Sequence, residues 1–211
     1  MRKGLFITFE GSDGSGKSTQ LSLLKEYLMN KGIRIITLRE PGGVAISEKI
    51  RGIILDNRNT EMDPVAEMLL YAASRAQLVS QLIKPSLEKG ITVICDRYVD
   101  SSYVYQGLAR GLGIDTVKIV NDIATGNIMP DITFFMDIDP ELALKRRLNS
   151  SVPDRLENES IEFHRNVYNG YLKLIEMYPE RIKRINGEIG IEAAFSLIKE
   201  YIDALLCRYI E

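Results

Sequence analysis

Five short apolar runs alternate with longer segments of helical spacing, and this alternation constrains the fold more than any other feature of the chain. Residues 5–10, 34–38, 92–96, 132–137 and 182–186 read as strands, several of them nearly continuous in apolar residues, such as ITFFM and TVIC. Runs of that kind suit strands covered on both faces, as in a parallel sheet. Residues 19–31, 64–89, 114–125, 140–149, 159–178 and 191–209 have the length and apolar periodicity of helices. The pattern predicts a doubly wound, three-layer α/β fold with a five-stranded parallel sheet and right-handed crossovers. Ligands are then expected at the carboxyl ends of the strands.

Residues 1–211 fit one domain, long enough to bury a full core. There is no internal repeat and no linker rich in Pro, Gly or Ser. The polar stretch 149–158 joins two helical segments and is a candidate flap. With 27 Lys+Arg against 29 Asp+Glu the net charge is −2, which gives no global reason to bind nucleic acid or an acidic membrane. The first apolar run ends at Phe9, too short for a signal peptide or a membrane span, so a cytoplasmic location is expected. Cys95 and Cys207 lie far apart without metal-ligand spacing, and both read as buried thiols.

Between the first strand and the first helix stands Gly11-Ser12-Asp13-Gly14-Ser15-Gly16-Lys17-Ser18, followed by Thr19. This matches G-x-x-x-x-G-K-[ST] in the strand-to-helix context that the motif requires. The glycines let successive backbone N–H groups turn inward onto phosphate oxygens, and the following helix dipole adds positive potential. Lys17 is placed to reach the terminal phosphates of a nucleoside triphosphate, and the Ser18 hydroxyl is a ligand type for Mg²⁺. The loop alone does not separate kinases from switches or motors. The guanine-reading N-K-x-D of switch GTPases is absent, however: the corresponding strand ends in FMDIDPE.

Arg39 and Arg97 fall at strand ends on the expected ligand edge, and Arg75 lies inside the long helix. Arginine suits multidentate phosphate recognition, and a kinase acting on a monophosphate must neutralise the repulsion between donor and acceptor. Asp96 follows an apolar strand, where a carboxylate either holds Mg²⁺ or its waters, or fixes Arg97. Asp13 is electrostatically unfavourable towards the donor phosphates, so it is expected to face the acceptor or the metal.

FEGSDGSGKST at 9–19, LREPGG at 38–43, YAASRAQ at 71–77, DRYVDSSYVYQG at 96–107 and DRLENE at 154–159 together resemble the bacterial-type thymidylate kinases (dTMP kinases), P-loop nucleoside monophosphate kinases. The similarity runs from Phe6 to about Tyr178. It implies ATP as phosphoryl donor with Mg²⁺, dTMP as acceptor and a homodimer. Asp13 would meet the sugar or Mg²⁺, Arg39 would lie near the acceptor phosphate, and Tyr71 would stack on thymine. Arg75 would bond the base, while Arg97 would bind the acceptor phosphate and the transferring group. Ser102, Tyr105 and Gln106 would line the nucleoside pocket, with Tyr105 where a 2′-hydroxyl would go. Residues 146–157 would form the lid, with Arg146 near the adenine and Arg155 and Glu157 matching the DRxE signature.

Relatives carry a further catalytic arginine either in the phosphate loop or in the lid. Here the loop has Gly14 and the comparable lid position is Ser150, which leaves Arg147 as the nearest substitute beside Lys17, Arg97 and Asp13. The alternatives are a kinase for another nucleotide or nucleoside, and a non-catalytic ATP-binding regulator. His164 reads as a packing or surface residue rather than a general base, and Tyr103 is open between pocket wall and packing.

Overall fold

The computed structural model describes residues 4–148 and 153–210. Ser150 and the rest of 149–152 lie outside the described residues. Strands β1 (Phe6–Glu10), β2 (Ile35–Arg39), β3 (Thr92–Asp96), β4 (Ile132–Asp137) and β5 (Ile182–Asn186) form one sheet in the order β2-β3-β1-β4-β5. Every neighbouring pair is parallel.

Alternation along the strands divides the core in two. Ile7, Phe9, Ile94, Phe134 and Met136 pack with α1 (Lys17–Asn30) and α9 (Ile191–Ile210), which contribute Leu24, Leu28, Ile198 and Ile202. On the opposite face Phe6, Val93, Cys95 and Phe135 meet α3 (Pro64–Leu78) and α8 (Ile161–Met177). Central strands enclosed by helices on both sides explain their continuous apolar character. Thr8 and Thr133 share the second face, joined by a 2.7 Å hydrogen bond. They form a polar seam that leads towards Glu10.

The expected helix over 64–89 is three consecutive pieces: α3, a π-helical turn at Val79–Ile83, and α4 (Lys84–Glu88). Two helical stretches were not expected from sequence periodicity. One is α2 (Ala45–Leu55); the other is α5 (Val99–Ser102) continuing into a π-helical segment, Tyr103–Ala109. The remaining helices, α6 (Ile114–Thr125) and α7 (Pro140–Leu148), agree with the periodicity. Cys95 is a buried thiol, but Cys207 is exposed on α9, because that helix covers the sheet with one face only. Tyr103 packs in the core, 2% exposed, which resolves its role as packing. Among the described residues no helix is long and apolar enough to cross a membrane.

Candidate active site

The phosphate loop turns between β1 and α1 through three glycines with positive φ, Gly11 (130°), Gly14 (85°) and Gly16 (94°). Their geometry is needed for close approach as well as for the turn. A Cβ at Gly11 would stand 2.8 Å from the Met136 carbonyl, and one at Gly14 only 2.2 Å from that of Ala143. Lys17 is buried and folds over its own loop, donating to Gly11 O (3.0 Å) and Ser12 O (2.9 Å), with Asp13 at 3.5 Å. Arg97 approaches the same carboxylate from the other side, Nη2 to Oδ1 at 3.1 Å. Burial would raise the Asp13 pKa, but Arg97 and Lys17 outweigh it and hold the carboxyl well below the usual aspartate range. Burial and the neighbouring Arg97 lower the Lys17 pKa.

Arg97 has φ of 68°, a conformation that side chains other than glycine adopt rarely and at a cost of about 1–2 kcal/mol. A buried framework holds it there. Glu10, at the end of β1, accepts from Tyr98 N (2.8 Å), Ser101 Oγ (2.6 Å) and Tyr171 Oη (2.8 Å), and Arg97 Nη1 donates to Ser101 Oγ at 3.3 Å. Burial and the charge of Asp100 raise the Glu10 pKa. The Arg97 guanidinium also lies over the Tyr105 ring, 5.5 Å from its centroid.

An open cavity beside the loop is lined by Ser12, Asp13, Arg39, Tyr71, Arg75, Asp96, Arg97, Ser102, Tyr105, Gln106 and Arg147, among others. These eleven residues, singled out from the sequence, come from the loop, two strand ends and four helical segments. Arg75, 1% exposed, is held by Glu40 Oε2 (2.6 Å), Ser102 Oγ (2.9 Å), Tyr98 O (3.0 Å) and Asn121. Arg39 is tied to Pro41 O and to Glu48, both at 3.0 Å. Arg147 reaches the cavity from α7 and pairs with Glu157, Nη2 to Oε2 at 2.9 Å. Arg146, next to it, is exposed and outside this lining.

Asp154 Oδ1 accepts from Glu157 N (3.0 Å) while Glu157 Oε2 accepts from Asp154 N (2.9 Å), a reciprocal cap that sets the DRLE turn. Arg155 anchors that turn away from the cavity, donating to Ile54 O (2.8 Å) and Glu67 (2.5 Å). Ser18 and Asp96 border a second cleft together, and Asp96 Oδ1 is buried with no partner. That pairing of an unsatisfied carboxylate oxygen with a hydroxyl fits a hydrated divalent cation. No group of three His, Cys, Asp or Glu that could hold a metal is found among the described residues. A site of this kind therefore needs the oxygens of a bound phosphate to complete it. Thr19 is exposed at the start of α1, and Ser15 Oγ is buried without a partner inside the loop.

Arg51 and His164, neither of them assigned to the site from the sequence, also line the cavity. Arg51 donates to Pro41 O at 2.9 Å and lies in an unread helix; its guanidinium pKa is lowered by burial and by nearby Arg39. His164 lines the cavity with a buried Nε2 that has no partner, and its ring packs edge-on against Phe163. It comes one turn after the Ser160 cap of α8.

The sheet order, a phosphate loop after the central strand and an arginine-lined cavity at the same edge define a P-loop phosphotransferase with a small-molecule acceptor. The thymidylate kinase family model matches residues 9–198. A thymidylate kinase of a Thermoanaerobacter species is 53% identical over 203 residues, 96% of this chain and 98% of that protein. One of Caldanaerobacter subterraneus subsp. tengcongensis is 52% identical over 204 residues, 97% of each. The crystal structure of thymidylate kinase from Ehrlichia chaffeensis superposes with a TM-score of 0.77 at 31% identity, over 95% of this chain and 99% of that one. This chain belongs to the thymidylate kinase family.

Proposed function

We propose that this chain transfers the γ-phosphoryl group of MgATP to the phosphate of dTMP, yielding ADP and dTDP, in the cytoplasm. Family membership makes it a nucleoside monophosphate kinase and does not favour a kinase for another acceptor or a non-catalytic regulator. The observation that carries the mechanism is the convergence of Lys17 and Arg97 on Asp13 at the junction of the loop and the cavity. Two cations that now share a carboxylate are placed to exchange it for phosphate oxygens, one from the donor side and one from the acceptor side.

The amides of Gly11 to Thr19 would hold the donor phosphates, with Lys17 leaving its loop carbonyls to meet them. Ser18 and Asp96 would hold Mg²⁺, which supplies charge neutralisation between the phosphates when bound. Arg39 and Arg97 would take the acceptor phosphate, Tyr71 and Arg75 the base, and Ser102, Tyr105 and Gln106 the rest of the nucleoside. Arg147 would supply the remaining positive charge, and Arg146 would lie near the adenine. An ionised acceptor phosphate is already a nucleophile, so positioning and charge neutralisation suffice without a general base.

The test is ADP release with dTMP, dUMP, dCMP, thymidine and UMP. Turnover is expected with dTMP, and absence of turnover with every acceptor refutes the proposal. Arg97→Ala is expected to abolish transfer while ATP affinity stays within a few-fold. Turnover like that of the wild type would remove Arg97 from its assigned role.

A further inference from the structure

Glu67, Tyr71 and Arg75 stand four residues apart on α3 and so share one face of that helix. The last two line the cavity; Glu67 lies behind it, 1% exposed. Its carboxylate accepts from Gln106 Nε2 at 2.9 Å, from Arg110 Nη2 at 3.2 Å and from Arg155 Nη2 at 2.5 Å. Burial would raise its pKa, but these three donors outweigh burial and hold the pKa below the usual glutamate value. Glu67 is thus ionised and can only accept.

That restriction decides which way the Gln106 amide points. A carboxylate cannot receive the amide oxygen, so the NH₂ group must face Glu67 and the carbonyl oxygen must face the cavity that Gln106 lines. Arg75 presents the complementary polarity beside it. Its Nε, Nη1 and Nη2 are engaged by Glu40, Ser102, Asn121 and Tyr98, which leaves one of five N–H groups uncommitted on a side chain that borders the cavity. The pocket wall therefore offers one donor and one fixed acceptor to a ligand edge carrying a carbonyl beside an N–H.

We infer that Glu67 is a positioning residue for base specificity: by locking the Gln106 amide it selects a 2,4-dioxopyrimidine, whose edge offers a carbonyl and an N3–H, over a 4-aminopyrimidine. Cytosine presents the opposite edge, an amino donor and an N3 lone pair, and would meet donor with donor and acceptor with acceptor. The inference rests on the nucleotide pocket assigned above and adds to it a residue that does not touch the ligand.

The test is the ratio of kcat/KM for dTMP to that for dCMP, measured on one preparation so that any inactive fraction cancels. In Glu67→Gln the Gln106 amide meets a partner that both donates and accepts, so either orientation is satisfied. The ratio is expected to fall at least about tenfold, the usual effect of a buried polar mismatch. Arg155→Met leaves the carboxylate with Gln106 and is expected to lower both values together, keeping the ratio within about twofold. Glu67→Gln combined with Arg155→Met removes the buried unpaired cation that endangers folding of the single variant, and carries the same expectation as Glu67→Gln. An unchanged ratio in both Glu67 variants, with a wild type that prefers dTMP, overturns the inference alone. So does an equal shift in Arg155→Met, which would assign the effect to the cluster as a whole. A wild type that does not phosphorylate dTMP overturns the pocket assignment and this inference with it.

Discussion

At Gly14 the phosphate loop has no room for a side chain. The backbone has φ of 85°, and α7 rests against it so closely that a Cβ would lie 2.2 Å from Ala143 O and 3.1 Å from Arg147 N. An arginine at this position, as the resemblance places in some relatives, would have to displace the helix that carries Arg147. Gly14→Arg is therefore expected to lose activity rather than gain a catalytic charge. Gly14→Ala should cost about 2–4 kcal/mol from positive φ and steric conflict together, read as a lower denaturation midpoint. Arg147→Met tests the complementary claim. It should lower kcat about 100-fold with ATP affinity nearly unchanged, because removing one charge-stabilising donor has about that effect on transition states. Steady-state kinetics paired with nucleotide titration checks this, and an unchanged kcat would remove Arg147 from the chemistry.

Elements that announce themselves by local chemistry were legible in the sequence; those held by distant partners were not. The phosphate loop needs only its own glycines and the flanking strand and helix, so its position followed directly. The helix from Pro64 was legible at its start, where Asp63 caps Val65 N at 2.8 Å and proline occupies the first turn. By contrast, α2 begins after Val44 and α5 after Tyr98, neither of which supplies a side-chain cap. Without a start signal both stretches went unread, and Arg51 was lost with α2. Glu10 was legible only as the end of a strand, because its partners Tyr98, Ser101 and Tyr171 are 88 to 161 residues away. Its function is to dock α5 onto β1 and so hold Arg97 in its strained conformation. Glu10→Ala should cost about 2–4 kcal/mol, since several buried donors lose one acceptor together. Amide hydrogen exchange at 98–102 should rise more than in β1 itself. Uniform loss of protection would instead mean general destabilisation, with no special tie between these two elements.

For the molecule as a whole, two consequences follow from how charge and apolar surface are distributed. The ionised Asp13 has a depressed folded-state pKa, so its contribution to stability is complete above its ordinary value near 3.8 and is lost as pH falls through the lower folded value. Asp13→Asn should flatten this acid limb in denaturant titrations, by a small amount because the side chain is 43% exposed and screened by solvent. The apolar surface bears on assembly. Helices α2, α3 and α6 lie side by side, and their outward faces expose Ile46, Ile53, Leu69, Ile119 and Ile123, the last 80% exposed. Five large aliphatic side chains exposed on three neighbouring helices are apolar surface that an isolated domain would have little reason to keep. Because α3 turns Tyr71 and Arg75 to the cavity and Leu69 to the outside, covering this surface would also stiffen the acceptor side of the site. A second copy of the same chain is the proposed cover: an isologous contact needs no charge complementarity, and the exposed groups are aliphatic. Sedimentation velocity at micromolar concentration should show a dimer, and Ile123→Asp should convert it to a monomer by burying a charge against its symmetry mate. The monomeric variant should show a raised KM for dTMP with KM for ATP little altered, since α1 and the phosphate loop lie away from this surface. A wild-type chain that sediments as a monomer at that concentration would leave the surface without this partner.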